Sequence, residues 1–253
     1  MISSNLIHHL QHTKHLVVLT GAGVSAESGI PTFRDTLTGL WENYDAELLA
    51  SEEGFMADPA LVWGWYEWRR KKVLQATPNR AHRVIAKFSE QVPKLTLITQ
   101  NVDDLHERAG SQSVLHLHGS LHHPRCFHCH APYVLPEYIP EAALLLKESR
   151  IEPPQCPRCH HLIRPGIVWF GESLPTEQWD AAVHAAQSCD LMLIVGTSGI
   201  VYPAAELPYM AEKQGAKIAQ VNPCITSLNG IATYNLHGNA SEMLSKLQRL
   251  TFL

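Results

Sequence analysis

A short apolar run that ends on a glycine-rich loop constrains the fold of this chain more than any other feature. Residues 15–20, His-Leu-Val-Val-Leu-Thr, have the apolar, β-branched character of a buried parallel strand, and Gly21 follows directly. Gly21, Gly23 and Ala26 match the pattern G-x-G-x-x-A. In that pattern the first glycine makes a tight turn, the second admits a pyrophosphate, and the small third residue allows close helix packing. We therefore predict a dinucleotide-binding loop in which helix-terminal N–H groups bind the phosphates. A generic tight turn is the alternative.

The segment after this loop departs from the pattern of an ordinary dehydrogenase. In a dehydrogenase a second strand follows soon, and an acidic residue about 20 positions beyond the fingerprint holds the adenosine ribose. Here residues 31–45 have an irregular, loop-like order, and the next strand-like run begins only at Leu95. The sequence therefore disfavours a dehydrogenase that uses NAD as a hydride carrier.

Strand candidates alternate with helical stretches, which predicts an α/β fold with a Rossmann-like parallel sheet and helices on both faces. The strand candidates are residues 15–20, 95–99, 114–117, 191–196 and 217–221. Proline in the first turn is expected to mark helix starts at Asp58-Pro59, Thr77-Pro78 and Pro175-Thr176, while Gly110 and Gly215 follow expected helix ends.

Three units are predicted along the chain. A Rossmann-like NAD-binding domain comprises residues 1–35, 93–121 and 167–253. A helical insertion spans residues 36–92, and a small module rich in Pro, Cys and His spans residues 122–166.

The composition narrows the possible partners. With 253 residues and 45% hydrophobic content, the chain can bury one substantial core and a small additional module. A formal net charge of −4 argues against nucleic acid, whose phosphates demand a basic surface. Residues 1–20 lack a charged leader with a long apolar core, and no apolar run is long enough to cross a bilayer. We therefore expect a cytoplasmic protein without a membrane partner; the oligomeric state is left open, and a monomer is compatible.

Four of the six cysteines form two C-x-x-C hooks, Cys126/Cys129 and Cys156/Cys159. Four thiolates in two such hooks predict a tetrahedral zinc site. A redox dithiol is the alternative, but such motifs usually occur singly and at a helix start. Because four protein ligands leave no open coordination position, the zinc would stabilise the module rather than activate water.

Polar residues follow the second strand candidate in the run Thr99-Gln100-Asn101-Val102-Asp103-Asp104-Leu105-His106. This position is the carboxyl edge of the predicted sheet, where open parallel sheets bind ligands. An Asx-type turn that caps the following helix is the alternative. In the next strand candidate we expect His116 to be structural, whereas His118, beside Gly119, is placed to act as a general base near neutral pH.

The order of these motifs resembles one enzyme family. The chain carries G-A-G-V-S-A-E-S-G-I-P-T-F-R from Gly21, T-Q-N-V-D from Thr99, His118-Gly119, the two hooks, Gly196-Thr197-Ser198 and Val221-Asn222. Over about residues 13–240 this ordered set resembles the sirtuins. Sirtuins are NAD-dependent protein lysine deacylases, so the resemblance implies an enzyme that consumes NAD and acts on acylated lysines of proteins.

The resemblance also implies which residues contact NAD. The glycine loop would hold the pyrophosphate, the segment with Phe33 and Arg34 would face the nicotinamide, and Gln100, Asn101 and Asp103 would hold the ribose and the carboxamide. The full implied set is Gly21, Ala22, Gly23, Glu27, Phe33, Arg34, Trp41, Gln100, Asn101, Val102, Asp103, Gly196, Thr197, Ser198, Asn222, Pro223, Cys224 and Ala240.

A catalytic role for His118 is implied as well. Departure of nicotinamide leaves oxocarbenium character at C1′ of the ribose, which the acyl-lysine oxygen attacks to give an alkylimidate. His118 would then deprotonate a ribose hydroxyl, and the product would be 2′-O-acyl-ADP-ribose. Val168, Phe170, Gly171 and Glu172 resemble the segment that pairs with the substrate peptide as an added strand.

The helix predicted from Pro59 to about Gln75 bears on the acyl group. Its pattern alone favours an aromatic core helix, with Arg69 exposed in a basic last turn. A tyrosine hydroxyl and a guanidinium three residues apart are also suited to grip a carboxylate, and Tyr66-x-x-Arg69 coincides with the Y-x-x-R of class III sirtuins. The resemblance therefore implies removal of succinyl and malonyl groups, with deacetylation retained. A deacetylase-dominant sirtuin, a mono-ADP-ribosyltransferase and a passive nucleotide sensor are the alternatives.

Overall fold

Six parallel strands form one sheet at the centre of the protein. The structure is a computed structural model that describes residues 2–31, 45–135 and 150–252. The described strands are β1 (Leu16–Thr20), β2 (Leu95–Thr99), β3 (Leu115–His116), β4 (Arg125–Cys126), β5 (Ile163–Arg164), β6 (Leu191–Val195), β7 (Lys217–Asn222) and β8 (Tyr234–His237). The sheet order is β3-β2-β1-β6-β7-β8, with every neighbouring pair parallel, and β4 and β5 form a separate antiparallel pair. The predicted Rossmann-like fold is therefore confirmed.

Helices cover both faces of the sheet, as expected for parallel strands that are apolar throughout. The described α-helices are α1 (Ser4–His12), α2 (Ala46–Leu49), α3 (Glu52–Ala57), α4 (Pro59–Gln75), α5 (Arg80–Gln91), α6 (Leu105–Arg108), α7 (Thr176–Ser188), α8 (Leu207–Lys213) and α9 (Ala240–Phe252). Alternate residues of β1 divide between the two layers. Val18 packs in the cluster formed with α1, α5 and α9, whereas Val17 and Leu19 pack with α7 and α8. Each residue of β1 is therefore buried.

Most of the predicted helix starts and ends are confirmed. Asp58 caps α4 by accepting a hydrogen bond from the N–H of Leu61 at 3.1 Å, with Pro59 in the first turn. Gly110 and Gly215, with φ of 102° and 90°, follow the ends of α6 and α8. The predicted start at Thr77-Pro78 is wrong by two residues, because Asn79 supplies the cap and α5 begins at Arg80.

Two further features differ from the sequence-based expectation. The glycine loop is followed by two 3₁₀ turns, Ala22–Val24 and Ala26–Ser28, so no α-helix begins there in the described residues. The sheet also has an edge strand, β8, that was not predicted. β8 has four residues, of which Leu236 is buried, and this short pattern gives little periodic signal.

The remaining described elements lie where the insertions are predicted. Helices α2 to α5 fall within residues 45–92, and β4 and β5 fall within residues 122–166. The boundaries of the three units stay a prediction. No helix of the described segments combines the length and the apolar character that a membrane crossing requires.

Candidate active site

Loops from four strands meet at the carboxyl edge of the sheet. Gln100, after β2, donates from Nε2 to Oγ1 of Thr197, after β6, at 3.0 Å. Asn222, at the end of β7, donates from Nδ2 to the carbonyl of Thr197 at 2.9 Å. Gly21 follows β1 directly, between β2 and β6, where the strand order reverses. Open parallel sheets bind ligands at such a point, and four predicted NAD-contacting residues are brought together there.

Close packing against the loop after β6 explains the glycines of the first loop. The N–H of Gly23 donates to the carbonyl of Gly196 at 2.9 Å. A Cβ on Gly23 would lie 2.7 Å from the Cα of Gly196, and a Cβ on Gly21 would lie 2.8 Å from the Cβ of Thr197. Gly196 itself has a φ of 64°, which favours glycine. The pattern assigned Gly23 to the approach of a pyrophosphate; in the structure its bare Cα also lets two loops touch.

Ser25 joins the glycine loop to the polar run after β2. Its hydroxyl donates to Oδ2 of Asp103 at 3.0 Å and accepts from Nδ2 of Asn101 at 3.1 Å. Asp103 also accepts at Oδ1 from the N–H of Leu105, at 3.1 Å. Burial raises the pKa of the Asp103 carboxyl, and these hydrogen bonds oppose the rise. Both side chains are therefore held in fixed orientations beneath the glycine loop.

Two buried histidines lie beneath this network, and neither was assigned a role from the sequence. The His82 and His106 rings meet edge to face, with centroids 4.9 Å apart. His82 Nε2 lies 3.4 Å from the Ser25 hydroxyl, and His106 Nε2 lies 3.0 Å from the Thr20 hydroxyl. Burial lowers the pKa of His82 to about 4 and that of His106 well below its usual value, so both rings are neutral at pH 7. In a chain with 16 histidines, no sequence pattern separates His82 from surface histidines, and no pattern pairs it with His106.

His118 lies two residues beyond the end of β3, and one of its ring nitrogens is hydrogen-bonded. Its Nδ1 donates to the carbonyl of Gln100 at 3.0 Å. This bond fixes the tautomer that leaves the lone pair on Nε2. Burial lowers the pKa of His118, and the bond to Gln100 only partly opposes the shift. The imidazole is therefore neutral near pH 7, as a general base must be.

The remaining NAD-contact predictions fall into four groups. Glu27 accepts at Oε2 from the N–H of Ser241 at 2.9 Å, which ties it to the first turn of α9 beside Ala240. Asn222 Oδ1 accepts from the N–H of Cys224 at 3.1 Å, so this loop is shaped by its own side chains. The other described members, which lie in the same loops, are Ala22, Val102, Ser198 and Pro223. Phe33, Arg34 and Trp41 lie outside the described residues.

Tyr66 and Arg69 lie one turn apart on α4 and contact each other. Tyr66 is buried, and its hydroxyl accepts a hydrogen bond from Nε1 of Trp169 at 3.0 Å. The Arg69 guanidinium lies over the rings of Trp65 and Tyr66, 5.0 Å and 5.7 Å from their centroids. Because α4 continues to Gln75, Arg69 is well inside the helix, and the alternative that exposes it in a basic last turn is wrong.

The segment predicted to pair with peptide is already bonded on several sides. The N–H of Val168 donates to the carbonyl of His118 at 2.9 Å, and the N–H of Phe170 donates to the carbonyl of Ala50 at 3.0 Å. The N–H of Trp169 donates to Oε2 of Glu172 at 2.8 Å. Gly171, with a φ of 85°, lies in the turn that follows. A strand added here must therefore use other backbone groups, and the pairing stays a prediction.

The four hook cysteines converge at one end of the β4–β5 pair. All four Sγ atoms lie within 4.8 Å of one another, with Cys126–Cys159 at 3.4 Å and Cys129–Cys156 at 3.7 Å. Tetrahedral zinc with Zn–S bonds of about 2.3 Å would set sulfurs about 3.8 Å apart, so this cluster fits the ion. Backbone N–H groups point at the sulfurs of Cys126 and Cys156, as suits thiolate ligands.

Comparison with known protein families matches a segment that contains the glycine loop and the four hook cysteines. A model of the Sir2 family matches residues 21–203, more than half of the chain. The chain belongs to the Sir2 family. This sirtuin is 59% identical over 245 residues to an NAD-dependent protein deacylase of Methylococcus capsulatus, covering 97% of this chain and 95% of the relative. It is 53% identical over 247 residues to NAD-dependent protein deacylase 1 of Pseudomonas aeruginosa, covering 98% of each.

Solved sirtuin structures share the whole fold. A Sir2 homologue–NAD complex has a TM-score of 0.90 and 44% identity, covering 99% of this chain and 94% of that chain. A Sir2–p53 peptide–NAD+ structure has a TM-score of 0.83 and 34% identity, covering 98% of each. The predicted sirtuin resemblance is thereby confirmed.

Proposed function

We propose that this sirtuin is an NAD-dependent protein-lysine deacylase that removes acidic acyl groups, succinyl and malonyl, in preference to acetyl. The relatives named as NAD-dependent protein deacylases support the reaction class. The acyl preference rests on one observation, the contact between Tyr66 and Arg69 on the inner part of α4.

The phenol of Tyr66 is suited to donate to a carboxylate. Its oxygen already accepts from Trp169, which leaves its own O–H proton available. Burial raises the pKa of Tyr66 to about 12, so the hydroxyl keeps that proton throughout the physiological range. A neutral donor of this kind recognises an anion without adding a charge to the pocket.

The guanidinium of Arg69 supplies the positive charge. No carboxylate of the described residues lies within 4 Å of it, whereas Arg70, the next residue, is paired with Glu67 at 2.7 Å. Burial lowers the pKa of Arg69, and the charge of Asp103 opposes that shift. A partly desolvated arginine beside the rings of Trp65 and Tyr66 binds a carboxylate through paired donors, which an acetyl group cannot use.

The glycine loop, Ser25 and the polar run after β2 would hold NAD as a substrate at the carboxyl edge of the sheet. Loss of nicotinamide breaks the glycosidic bond, and the acyl oxygen of the lysine amide bonds to C1′ and gives the alkylimidate. The neutral Nε2 of His118 then takes a proton from the ribose. The activated 2′-oxygen attacks the imidate carbon. One water is consumed as the adduct collapses to free lysine and 2′-O-acyl-ADP-ribose.

A zinc ion at Cys126, Cys129, Cys156 and Cys159 would complete the small module. When bound, it would supply a cross-link between the two hooks and no catalytic chemistry, because four thiolates fill its coordination sphere. It would fix β5, which carries Arg164, relative to the rest of the module.

The reaction class is tested by mass spectrometry of the products from NAD with matched succinyl- and acetyl-lysine peptides. We expect nicotinamide, deacylated peptide and acyl-ADP-ribose in equal amounts. Formation of NADH, without release of nicotinamide, would instead indicate a dehydrogenase. Transfer of adenine-labelled ADP-ribose to protein would indicate a mono-ADP-ribosyltransferase, and absence of turnover would indicate a sensor.

A further inference from the structure

We infer that Trp169 is a positioning residue for acyl selectivity: it orients the Tyr66 hydroxyl and is itself held by an ion pair between Glu172 and Arg164, which lies on β5 of the small module. This inference rests on the proposed function, since it concerns how the carboxylate-binding tyrosine is set in place. It links the choice of acyl group to β5, outside the helix that carries the selective side chains.

The hydrogen bond between Trp169 and Tyr66 sets the direction of the free phenol proton. Trp169 Nε1 donates to the Tyr66 oxygen at 3.0 Å across 103 positions of sequence. A phenol oxygen that accepts one bond donates its own proton in a different direction, around the C–O axis. Both residues are buried, with exposures of 2% and 3%, so water does not compete for this contact. The indole therefore selects the orientation in which Tyr66 offers its proton.

Arg164 fixes the plane of the indole. The guanidinium carbon lies 3.5 Å from the centroid of the Trp169 ring, a stacking distance, and Arg164 is 4% exposed. Its Nη2 also donates to the carbonyl of Ile167 at 3.0 Å. The plane of the guanidinium is thus tied to the backbone two residues before the indole.

Glu172 contacts both Arg164 and Trp169 and so links them. Its carboxylate forms a two-point ion pair with Arg164, through Nη1 at Oε1 and through Nη2 at Oε2, the latter at 3.0 Å. Oε2 also accepts from the N–H of Trp169, at 2.8 Å. The pKa of Glu172 is lowered by Arg164 and by this N–H, which oppose its burial, so the carboxylate is charged at pH 7. The side chain of Glu172, which was predicted to contact substrate, thus binds Arg164 and the N–H of Trp169 and holds Trp169 in place.

These contacts predict an effect on acyl preference beyond an effect on stability. An acetyl group has no carboxylate for Tyr66 to meet, so the direction of the phenol proton matters little for deacetylation. A succinyl group loses a directed hydrogen bond when Tyr66 is free to turn. The consequence is a rise in KM for the succinyl peptide with a smaller change for the acetyl peptide.

The test is Trp169→Phe, which keeps the ring over Arg164 and removes the Nε1 donor. We expect the succinyl-to-acetyl ratio of kcat/KM to fall by about three- to ten-fold, the size of one net hydrogen bond. Trp63→Phe is the matched control. Trp63 is buried like Trp169, but it lies on α4 and packs against Cys126 and Cys156. This control should leave the ratio unchanged. Equal losses for both peptides in Trp169→Phe would overturn the inference and indicate a structural role alone.

The double variant Trp169→Phe, Tyr66→Phe separates this inference from the proposed function. If Trp169 acts through Tyr66, its substitution has no further effect on the ratio once the phenol is absent. A fall in the ratio that persists in the Tyr66→Phe background contradicts the inference alone. If instead neither Tyr66→Phe nor Arg69→Met changes the ratio, the acyl preference itself is wrong.

Discussion

His116 and His118 lie two positions apart and direct Nδ1 at the carbonyls of adjacent residues, Asn101 and Gln100, at 3.1 Å and 3.0 Å, yet their second nitrogens differ. His116 Nε2 meets Oε1 of Glu107 at 2.7 Å, and Glu107 raises the pKa of His116. His118 Nε2 has no such partner among the described residues, and burial lowers its pKa. The ion pair with Glu107 thus opposes burial and favours the protonated form of His116, whereas burial favours the neutral form of His118.

Replacement of the proposed base should abolish turnover without unfolding the protein. We expect His118→Tyr to reduce deacylation by at least about a hundred-fold, the low end of general-base contributions, with the zinc content retained. The measurement is steady-state kcat together with circular dichroism and zinc analysis. His116→Gln, the matched control, should retain measurable turnover although it loses the ion pair with Glu107. Turnover in His118→Tyr at the wild-type level would remove His118 from the proposed role.

The lowered pKa of His118 predicts the acid limb of the pH profile. The base must be neutral, so activity is present above its folded-state pKa and is lost as the pH falls through that value. Because burial places this pKa below 6.5, the acid limb of kcat/KM should have its midpoint below 6.5. A midpoint at pH 7 or above, measured with a peptide that has no titrating group in that range, would contradict the assignment.

Loss of one hook cysteine should release the metal and destabilise the fold. Cys156→Ser is expected to reduce zinc from about one ion per chain to near zero and to lower Tm, since metal binding contributes to folding. Cys189→Ser is the control, because Cys189 lies apart from the cluster and its thiol bonds the carbonyl of Ala186. Zinc analysis by mass spectrometry and a melting curve provide the measurement. Full zinc retention in Cys156→Ser would rule out the four-cysteine site.

The close approach of two loops makes Gly23 intolerant of a side chain. Gly23→Ala places Cβ 2.7 Å from a backbone atom of Gly196, so one loop must move. Overpacking of this kind costs about 1–3 kcal/mol, a Tm decrease of about 2–12 °C for a chain of this size. Gly230→Ala, where a new Cβ meets nothing within 4 Å, should leave Tm nearly unchanged. An unchanged Tm and an unchanged Kd for NAD in Gly23→Ala would show that the loops can separate freely.

The sheet could be predicted from sequence because its strands are nearly continuous apolar runs. The hooks were equally visible, since metal ligands must recur at short, fixed spacing. β8 was missed because a four-residue edge strand with one buried side chain has no periodicity to detect. The 3₁₀ turns after Gly21 were missed because G-x-G-x-x-A is shared with loops that do begin α-helices.

The contacts that shape the site depend on tertiary structure and were not visible in the sequence. Trp169 reaches Tyr66 from 103 positions away, and His82 meets His106 only after α5 and α6 pack together. The charge of Arg164 could be read, but its stacking on Trp169 and its pairing with Glu172 could not. Short-range patterns thus predicted which residue types are present, and packing determined which of them interact.

The ratio of kcat/KM for matched succinyl- and acetyl-lysine peptides, compared between the wild type and Arg69→Met, tests the central claim most directly. Loss of a charged hydrogen-bonding partner should lower succinyl turnover at least about ten-fold and change acetyl turnover much less. Arg249→Met, an exposed arginine on α9, serves as the control and should leave the ratio as in the wild type. A wild type that prefers the acetyl peptide, or an Arg69→Met variant that loses both activities equally, would contradict the account.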